Sequence, residues 1–248
     1  GKPIEIGGSL GRNEATGRGV MFVAKEIMHR AGLPVTGARI AVQGLGNVGS
    51  ATAKLLYQEG CKIVAVSDIS GGIYHKQGLD INQILNFIHR NPSSPSLLKD
   101  YDAPGVSHIT NGELLTLDVD VLIPAAMENQ ITADVAGQIK AKIIVEAANG
   151  PTTVEADKIL EQRQITVVPD ILANAGGVVV SYFEWVQNIQ SLMWDEEEVN
   201  RMLEKVMVRA FNEVWDRTAA CRTTMRLGAY MVAISRLVKA KQIRGVFP

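Results

Sequence analysis

Gly44-Leu45-Gly46-Asn47-Val48-Gly49 lies between a short aliphatic run, Arg39 to Gln43, and a helical pattern that continues to Gln58 and is closed by Gly60. A glycine triplet at this spacing is a weak signal alone and a useful one here, directly after a strand and opening a helix. Each glycine has its own physical reason. Gly44 permits the tight turn, Gly46 lets the backbone approach a pyrophosphate with no Cβ in the way, and Gly49 lets the helix lie close on the sheet. The helix start, with Asn47 and Val48 in its first turn, presents free N–H groups and the positive end of a dipole to that anion. Lys62 to Ser67 reads as a second buried strand, completing a β-α-β unit of about thirty residues.

Working outward, a glycine-rich stretch from Gly7 to Gly11 leads into a helical pattern from about Glu14 to His29, with Val20, Val23, Ala24, Ile27 and Met28 at helical spacing and a stop at Gly32 and Pro34. Downstream, strand-like runs at Val119 to Ile123, Lys142 to Val145 and Ile165 to Val168 alternate with helical stretches at Ala133 to Ile139 and Val154 to Gln162. That alternation implies an α/β protein of the Rossmann type, a doubly wound, mostly parallel sheet covered on both faces. From Asn174 onward strand signals stop, and helical periodicity runs from Val178 to Leu192, Asp195 to Arg222 and Thr224 to Lys241. The expected organisation is a dinucleotide-binding domain over residues 1–190 and a C-terminal helical appendage over 191–248 that packs on it as one structural unit. Asp195-Glu196-Glu197-Glu198 fits a helix start with Asp195 as N-cap better than a partner-binding patch. Asn91 to Gly105, rich in proline and serine, reads as an exposed excursion.

Composition narrows the function. Lys plus Arg number 25 against 26 Asp plus Glu, so the net charge of −1 offers no field to draw in nucleic acid or an anionic membrane. No run of about 18 apolar residues occurs, and no basic-then-apolar signal peptide opens the chain. The two cysteines, Cys61 and Cys221, have no partners at metal-ligand spacing, which fits a reducing, cytoplasmic setting. Gly1-Lys2-Pro3 without a methionine suggests a chain cut from something longer, although a tag remnant or processing would look the same.

Asp68 ends the second strand at roughly the 20-residue distance from the glycines at which a carboxylate meets the adenosine ribose hydroxyls. Its charge would repel a 2′-phosphate and no arginine follows closely, so NAD is favoured, with NADP as the alternative because Lys76 is nearby. A different adenosine ligand, such as S-adenosylmethionine, is the competing occupant. Three loops at later strand ends offer the second half of a dinucleotide site: Pro124-Ala125-Ala126, whose small side chains leave room for the adenosine half, Ala147-Ala148-Asn149-Gly150, and Asp170 to Gly177 with Asn174. Either asparagine read alone is a turn or capping residue. All four histidines precede residue 110, so none follows the third loop as an acid/base, and metal-ligand and Ser-His-Asp patterns are absent.

Taken together, Gly8-Ser9-Leu10-Gly11-Arg12, Ala15-Thr16-Gly17-Arg18-Gly19, the Gly44 fingerprint, Glu146 to Thr153 and Pro169-Asp170 through Ser181-Tyr182-Phe183-Glu184-Trp185 resemble the glutamate dehydrogenases within the wider amino-acid dehydrogenase family. The resemblance runs from Gly1 to about Gly245. It implies Arg12 and Thr16 near the cofactor, Thr16 close to the nicotinamide amide, and Asn47 at the pyrophosphate or nicotinamide side. Asn149 would bind the nicotinamide ribose and Asn174 the carboxamide. Val178 and Ser181 would line the substrate pocket, Ser181 meeting the glutamate side-chain carboxylate. From its residues alone, Ser181 reads equally as a helix serine satisfied by its own backbone. The family's catalytic lysine, in a Gly-Gly-x-Lys-Gly-Gly segment, has no counterpart beside Gly7-Gly8, Gly71-Gly72 or Gly176-Gly177. Its catalytic aspartate belongs to the same substrate domain, so no catalytic residue is assigned to this chain.

The resemblance thus implies the cofactor-binding portion of an enzyme that deaminates L-glutamate to 2-oxoglutarate and ammonia, inactive by itself. The alternatives are a non-catalytic NAD-binding module and a dehydrogenase of leucine, valine or phenylalanine, against which Ser181 argues. The implied partners are the dinucleotide and, with the missing domain, glutamate and 2-oxoglutarate. The full-length enzyme is expected to be a homo-oligomer, and this chain a monomer or weak dimer with an apolar face left open.

Overall fold

In the computed structural model, which describes residues 1–90 and 96–245, the decisive strand is β1 (Arg39–Gln43). It is fully buried beyond its first residue and central in a seven-stranded sheet of order β4-β3-β2-β1-β5-β6-β7. β2 (Lys62–Asp68) pairs parallel on one side of it, while β5 (Val121–Pro124), β6 (Ile143–Val145) and β7 (Thr166–Val168) extend the parallel sheet on the other. The edge beyond β2 differs from a purely parallel sheet: β3 (Gly71–Tyr74) and β4 (Ser107–Ile109) are antiparallel.

Period-2 alternation sends the strand residues to two separate cores. Ile40, Val42, Val121, Ile123, Ile143 and Val145 face α1 (Ala15–Arg30), α2 (Asn47–Gln58), α3 (Ile81–Ile88), α8 (Gly176–Gln190) and α9 (Glu196–Cys221). Ala41, Leu122 and Ile144 face α4 (Asn111–Leu115), α5 (Ala133–Gln138) and α6 (Val154–Gln162). Helices therefore cover both faces, and the doubly wound α/β architecture is present. The short α7 (Asp170–Ala173) and the terminal α10 (Met225–Arg244) complete the elements. Val199, Leu203, Met207 and Phe211 of α9 and Met225 and Ala229 of α10 join the first core, so the C-terminal helices pack on the sheet domain.

Local chemistry starts half of these helices. Asp80, Thr110, Thr153, Asp195 and Thr224 each accept a hydrogen bond from the backbone three residues on, and Thr110 with Glu113 forms a reciprocal capping box. The acidic run after Asp195 is thus a helix start, as its pattern implies. The proline-rich excursion is in part buried: residues 91–95 lie outside the described residues, but Leu98 is fully buried and Tyr101 packs edge-on against Phe87.

Candidate functional site

The chain leaves β1, winds outward through β2 to β4, and returns across β1 to add β5 on its other side. That reversal creates a crevice at the carboxyl ends of β1 and β5, the place where open α/β sheets hold ligands. The glycine turn after β1 and Ala125-Ala126 after β5 form its two lips.

Gly44 and Gly49 behave as their spacing requires. Gly44 has φ of +92° and would press a Cβ against the Ala125 and Ala126 backbone at 3.0 Å. A Cβ at Gly46 would meet no protein atom within 4 Å, so packing within the chain does not explain that glycine. A Cβ at Gly49 would collide with the Gly44 carbonyl. Ser67, unnoticed in the sequence, accepts the Gly44 N–H at 3.3 Å and fixes the turn to β2. Gly46 is the N-cap of α2 and no side chain caps that helix, so its first N–H groups remain available to an anion.

Two depressions meet at Ala125, Ala126 and Met127. One, of about 430 Å³, is apolar and is bounded by Gly44, Gly46, Asp68, Ile69, Ile88 and Leu97. The Asp68 carboxylate accepts the Ser70 N–H (2.7 Å) and hydroxyl (2.6 Å) on one oxygen and the Leu98 N–H (2.7 Å) on the other, leaving capacity for about one further donor. Lys76 lies at the far end of β2: its neighbour Gly78 packs on Lys62, and its carbonyl meets Arg39. The lysine whose backbone does reach the Asp68 corner is Lys99, whose N–H is bonded to Ser70 Oγ at 3.1 Å.

The second depression, of about 580 Å³, gathers Arg12, Thr16, Val48, Asn149, Asn174, Val178 and Ser181 with Ala125 and Ala126. Residues from five separate segments thus converge. Asn174 Nδ2 donates to Asn149 Oδ1 at 2.7 Å and to the Ala147 carbonyl at 3.3 Å, so the two amides face each other. Arg12 Nε donates to Ser181 Oγ at 2.9 Å, and the same hydroxyl donates to the Gly177 carbonyl at 2.9 Å. Ser181 is therefore both a cleft residue and a helix serine bonded to its own backbone. Met127 and Glu128 also line this cleft, and Arg12 and Glu128 are the charged residues among its described lining.

Asn47 lies apart from these two. With Gly46 it opens instead on a third depression of about 630 Å³, beside Asn13, Lys54, Asn86 and His89. Neither cleft is lined by a histidine, and the described residues contain no group of three or more His, Cys, Asp or Glu placed to hold a metal.

Behind the two asparagine loops lies a buried ion cluster that local pattern gave no means to find. Glu146, directly after β6, has a fully buried side chain and receives both terminal nitrogens of Arg226 at 2.7 and 2.9 Å. Arg226 also grips Asp157 at 2.7 and 3.1 Å. Burial disfavours the charged guanidinium, but its bonds to Glu146 and Asp157 outweigh that, and its pKa is raised.

Residues 7–245 match the model of the Glutamate/Leucine/Phenylalanine/Valine dehydrogenase family. The chain is 50% identical over 245 residues to a cryptic catabolic NAD-specific glutamate dehydrogenase of Bacillus subtilis strain 168, covering 99% of this chain and 56% of that protein. It is 47% identical over 248 residues to an NADP-specific glutamate dehydrogenase of Synechocystis, covering 99% of this chain and 58% of the relative. Its fold superimposes with a TM-score of 0.90 on the hetero-hexameric glutamate dehydrogenase of Thermus thermophilus in its leucine-bound form, at 37% identity, over 100% of this chain and 57% of that one. The chain thus spans somewhat over half the length of these relatives. On sequence and fold alike, it belongs to the glutamate/leucine/phenylalanine/valine dehydrogenase family.

Proposed function

We propose that this chain is the cofactor-holding portion of an NAD(P)-dependent glutamate dehydrogenase, with the dinucleotide laid across the crevice between β1 and β5. The observation that carries this reading is the meeting of the two depressions at Ala125, Ala126 and Met127, beside the glycine turn. An apolar groove ending at a carboxylate meets, through a turn open to phosphate, a polar cleft with paired amides. The adenosine half lies by Asp68 and Ala125-Ala126, and the pyrophosphate lies over Gly44, Gly46 and the uncapped start of α2, which Gly49 holds close to the sheet. Val48 walls the passage, and Asn47 faces the outer, phosphate side. Arg12, Thr16, Asn149 and Asn174 seat the nicotinamide half, and an amide matches a carboxamide in donors and acceptors.

The bound nicotinamide supplies a two-electron acceptor at C4. In the overall reaction, L-glutamate, water and NAD(P)⁺ give 2-oxoglutarate, ammonium, NAD(P)H and a proton. This chain's residues orient and desolvate, which is a positioning task. Val178 and Ser181 line the substrate side; Ser181 meets the side-chain carboxylate of glutamate when its hydroxyl turns from the Gly177 carbonyl, and the adjacent Arg12 offers its terminal nitrogens as further donors. No residue of this chain is assigned proton transfer at the substrate, which falls to a substrate domain outside it. Val178, Tyr182, Trp185 and Ile189 recur at helical spacing and are exposed on α8, continuing from the cleft wall; an apolar stripe of this kind suits the packing of that domain. In this organisation the helices within residues 191–245 pack on the dinucleotide domain of residues 1–190, within one structural unit.

Asp68 places NAD ahead of NADP, with Lys99 the group that would temper the preference. Calorimetric titration with NAD⁺ and NADP⁺, repeated on Asp68→Ala, tests this. Tighter NAD⁺ binding that the substitution weakens supports the assignment; tighter NADP⁺ binding, or an unchanged profile in the variant, overturns it.

A further inference from the structure

We propose that Arg226, in the first turn of α10, is a positioning residue for the nicotinamide half of the site, acting through Glu146 on the two loops that carry Asn149 and Asn174. The inference deepens the cofactor reading above and rests on it. Arg226 spends its planar fork on two carboxylates at once, Glu146 and Asp157, each held by two bonds. Glu146 Oε2 in turn accepts the Asp170 N–H at 2.9 Å, which ties the strand end of β6 to the loop after β7. Asp170 Oδ2 then accepts the Gly150 N–H at 2.8 Å, tying that loop back to the one after β6. The circuit closes at the cleft, where Asn174 donates to Asn149.

Every link up to the final pair of amides involves a charged group, and Glu146, at the centre, is wholly buried. A buried carboxylate without a partner is strongly unfavourable, so Arg226 is what keeps Glu146 aimed at Asp170. A lysine keeps the charge but presents a point donor in place of the fork, and cannot satisfy both carboxylates in the same geometry. The adenosine groove shares none of these bonds. Its fixed points are Ser67, Ser70 and Leu98, on the opposite side of β1.

The test is titration of the 248-residue chain and Arg226→Lys with NAD⁺ and, separately, ADP, which supplies the adenosine and pyrophosphate groups without the nicotinamide riboside. The expected result is an NAD⁺ dissociation constant raised about tenfold with ADP affinity held within about twofold, a difference of about one hydrogen bond to a charged group. A merely structural role would weaken both ligands by the same factor, and that result, or an unchanged NAD⁺ constant, overturns the proposal. Should Arg226→Lys fail to fold, Asp157→Asn decides by the same criterion. It leaves the Arg226–Glu146 bonds in place, and an NAD⁺-selective loss of about threefold is expected. Wild-type chain that binds ADP and not NAD⁺ would remove the nicotinamide site itself, and wild-type chain that binds neither would remove the cofactor reading; either overturns the proposal.

Discussion

Replacing Gly49 with alanine puts one methyl group into the tightest contact of the fingerprint. The new Cβ would land on the Gly44 carbonyl oxygen, with the Gly44 carbonyl carbon at 2.9 Å and the Ala125 Cβ at 3.4 Å. Two of these obstacles are backbone, so no side-chain rotation relieves them. The glycine turn must retreat from α2 by about 1 Å before van der Waals separation is restored. Overpacking of this kind costs about 1–3 kcal/mol, against which alanine regains up to about 1 kcal/mol as the better helix former. The net loss of about 1–2 kcal/mol corresponds to a fall in Tm of about 2–8 °C for a domain of this size. The same retreat displaces the N–H groups of the turn from the phosphate path, so NAD⁺ affinity should fall at least about tenfold. Gly137→Ala is the control. It sits in α5 with nothing within 4 Å of its Cβ, and should leave Tm unchanged or raise it, by up to about 1 kcal/mol of stability. Thermal melts by circular dichroism and calorimetric titration read both effects. A Gly49→Ala chain with wild-type Tm and wild-type NAD⁺ affinity would refute the packing argument.

Asp68→Asn should lower stability by about 1–3 kcal/mol, since an amide nitrogen cannot accept all three donors now held by the carboxylate, and should raise the NADP⁺ to NAD⁺ affinity ratio; melting and paired titrations measure the two. Asn174→Ala should raise the NAD⁺ dissociation constant about tenfold and leave ADP binding unaltered, again by calorimetry. Burial, reinforced by Glu59, pushes the Cys61 thiol up from 9.0 to about 11. The folded state thus keeps a proton that the unfolded chain releases, so this contribution to stability is intact below pH 9 and is lost as pH rises from 9 toward 11. Denaturant melts across that range should show a decline that flattens in Cys61→Ala, and a thiol reagent at neutral pH should modify the exposed Cys221 well before the buried Cys61.

The parallel strands were legible because each is an aliphatic run bounded by turn residues, and the longer helices because of their periodicity; the short capped helices Ile81–Ile88 and Asn111–Leu115 were not read from the sequence. Gly71 to Tyr74 was not legible as a strand. Two glycines open it, and it exists as an edge by pairing antiparallel to Val66 and Ser67, information held in the partner. Proline and serine content suggested full exposure for the segment after Asn91, yet Leu98 sinks into the core because its N–H is anchored on Asp68. In the site, glycine spacing was readable because Gly44 and Gly49 answer local steric demands. Arg226 was not, since its partners lie 69 and 80 residues away and nothing near it in sequence marks the contact. The reading of Lys76 as the cation near Asp68 failed for a related reason. An antiparallel turn carries it to the other end of β2, while Lys99 arrives from a distant segment.

Hydrogen–deuterium exchange of the chain with and without saturating NAD⁺ tests the central claim most directly, because it reports where along the sequence a dinucleotide is held. Protection is expected at residues 44–49, at 147–150 and at 174–178, with the outer face of α10 unaffected. Absence of protection at the glycine turn, or protection confined to segments away from the β1–β5 crevice, would contradict the account.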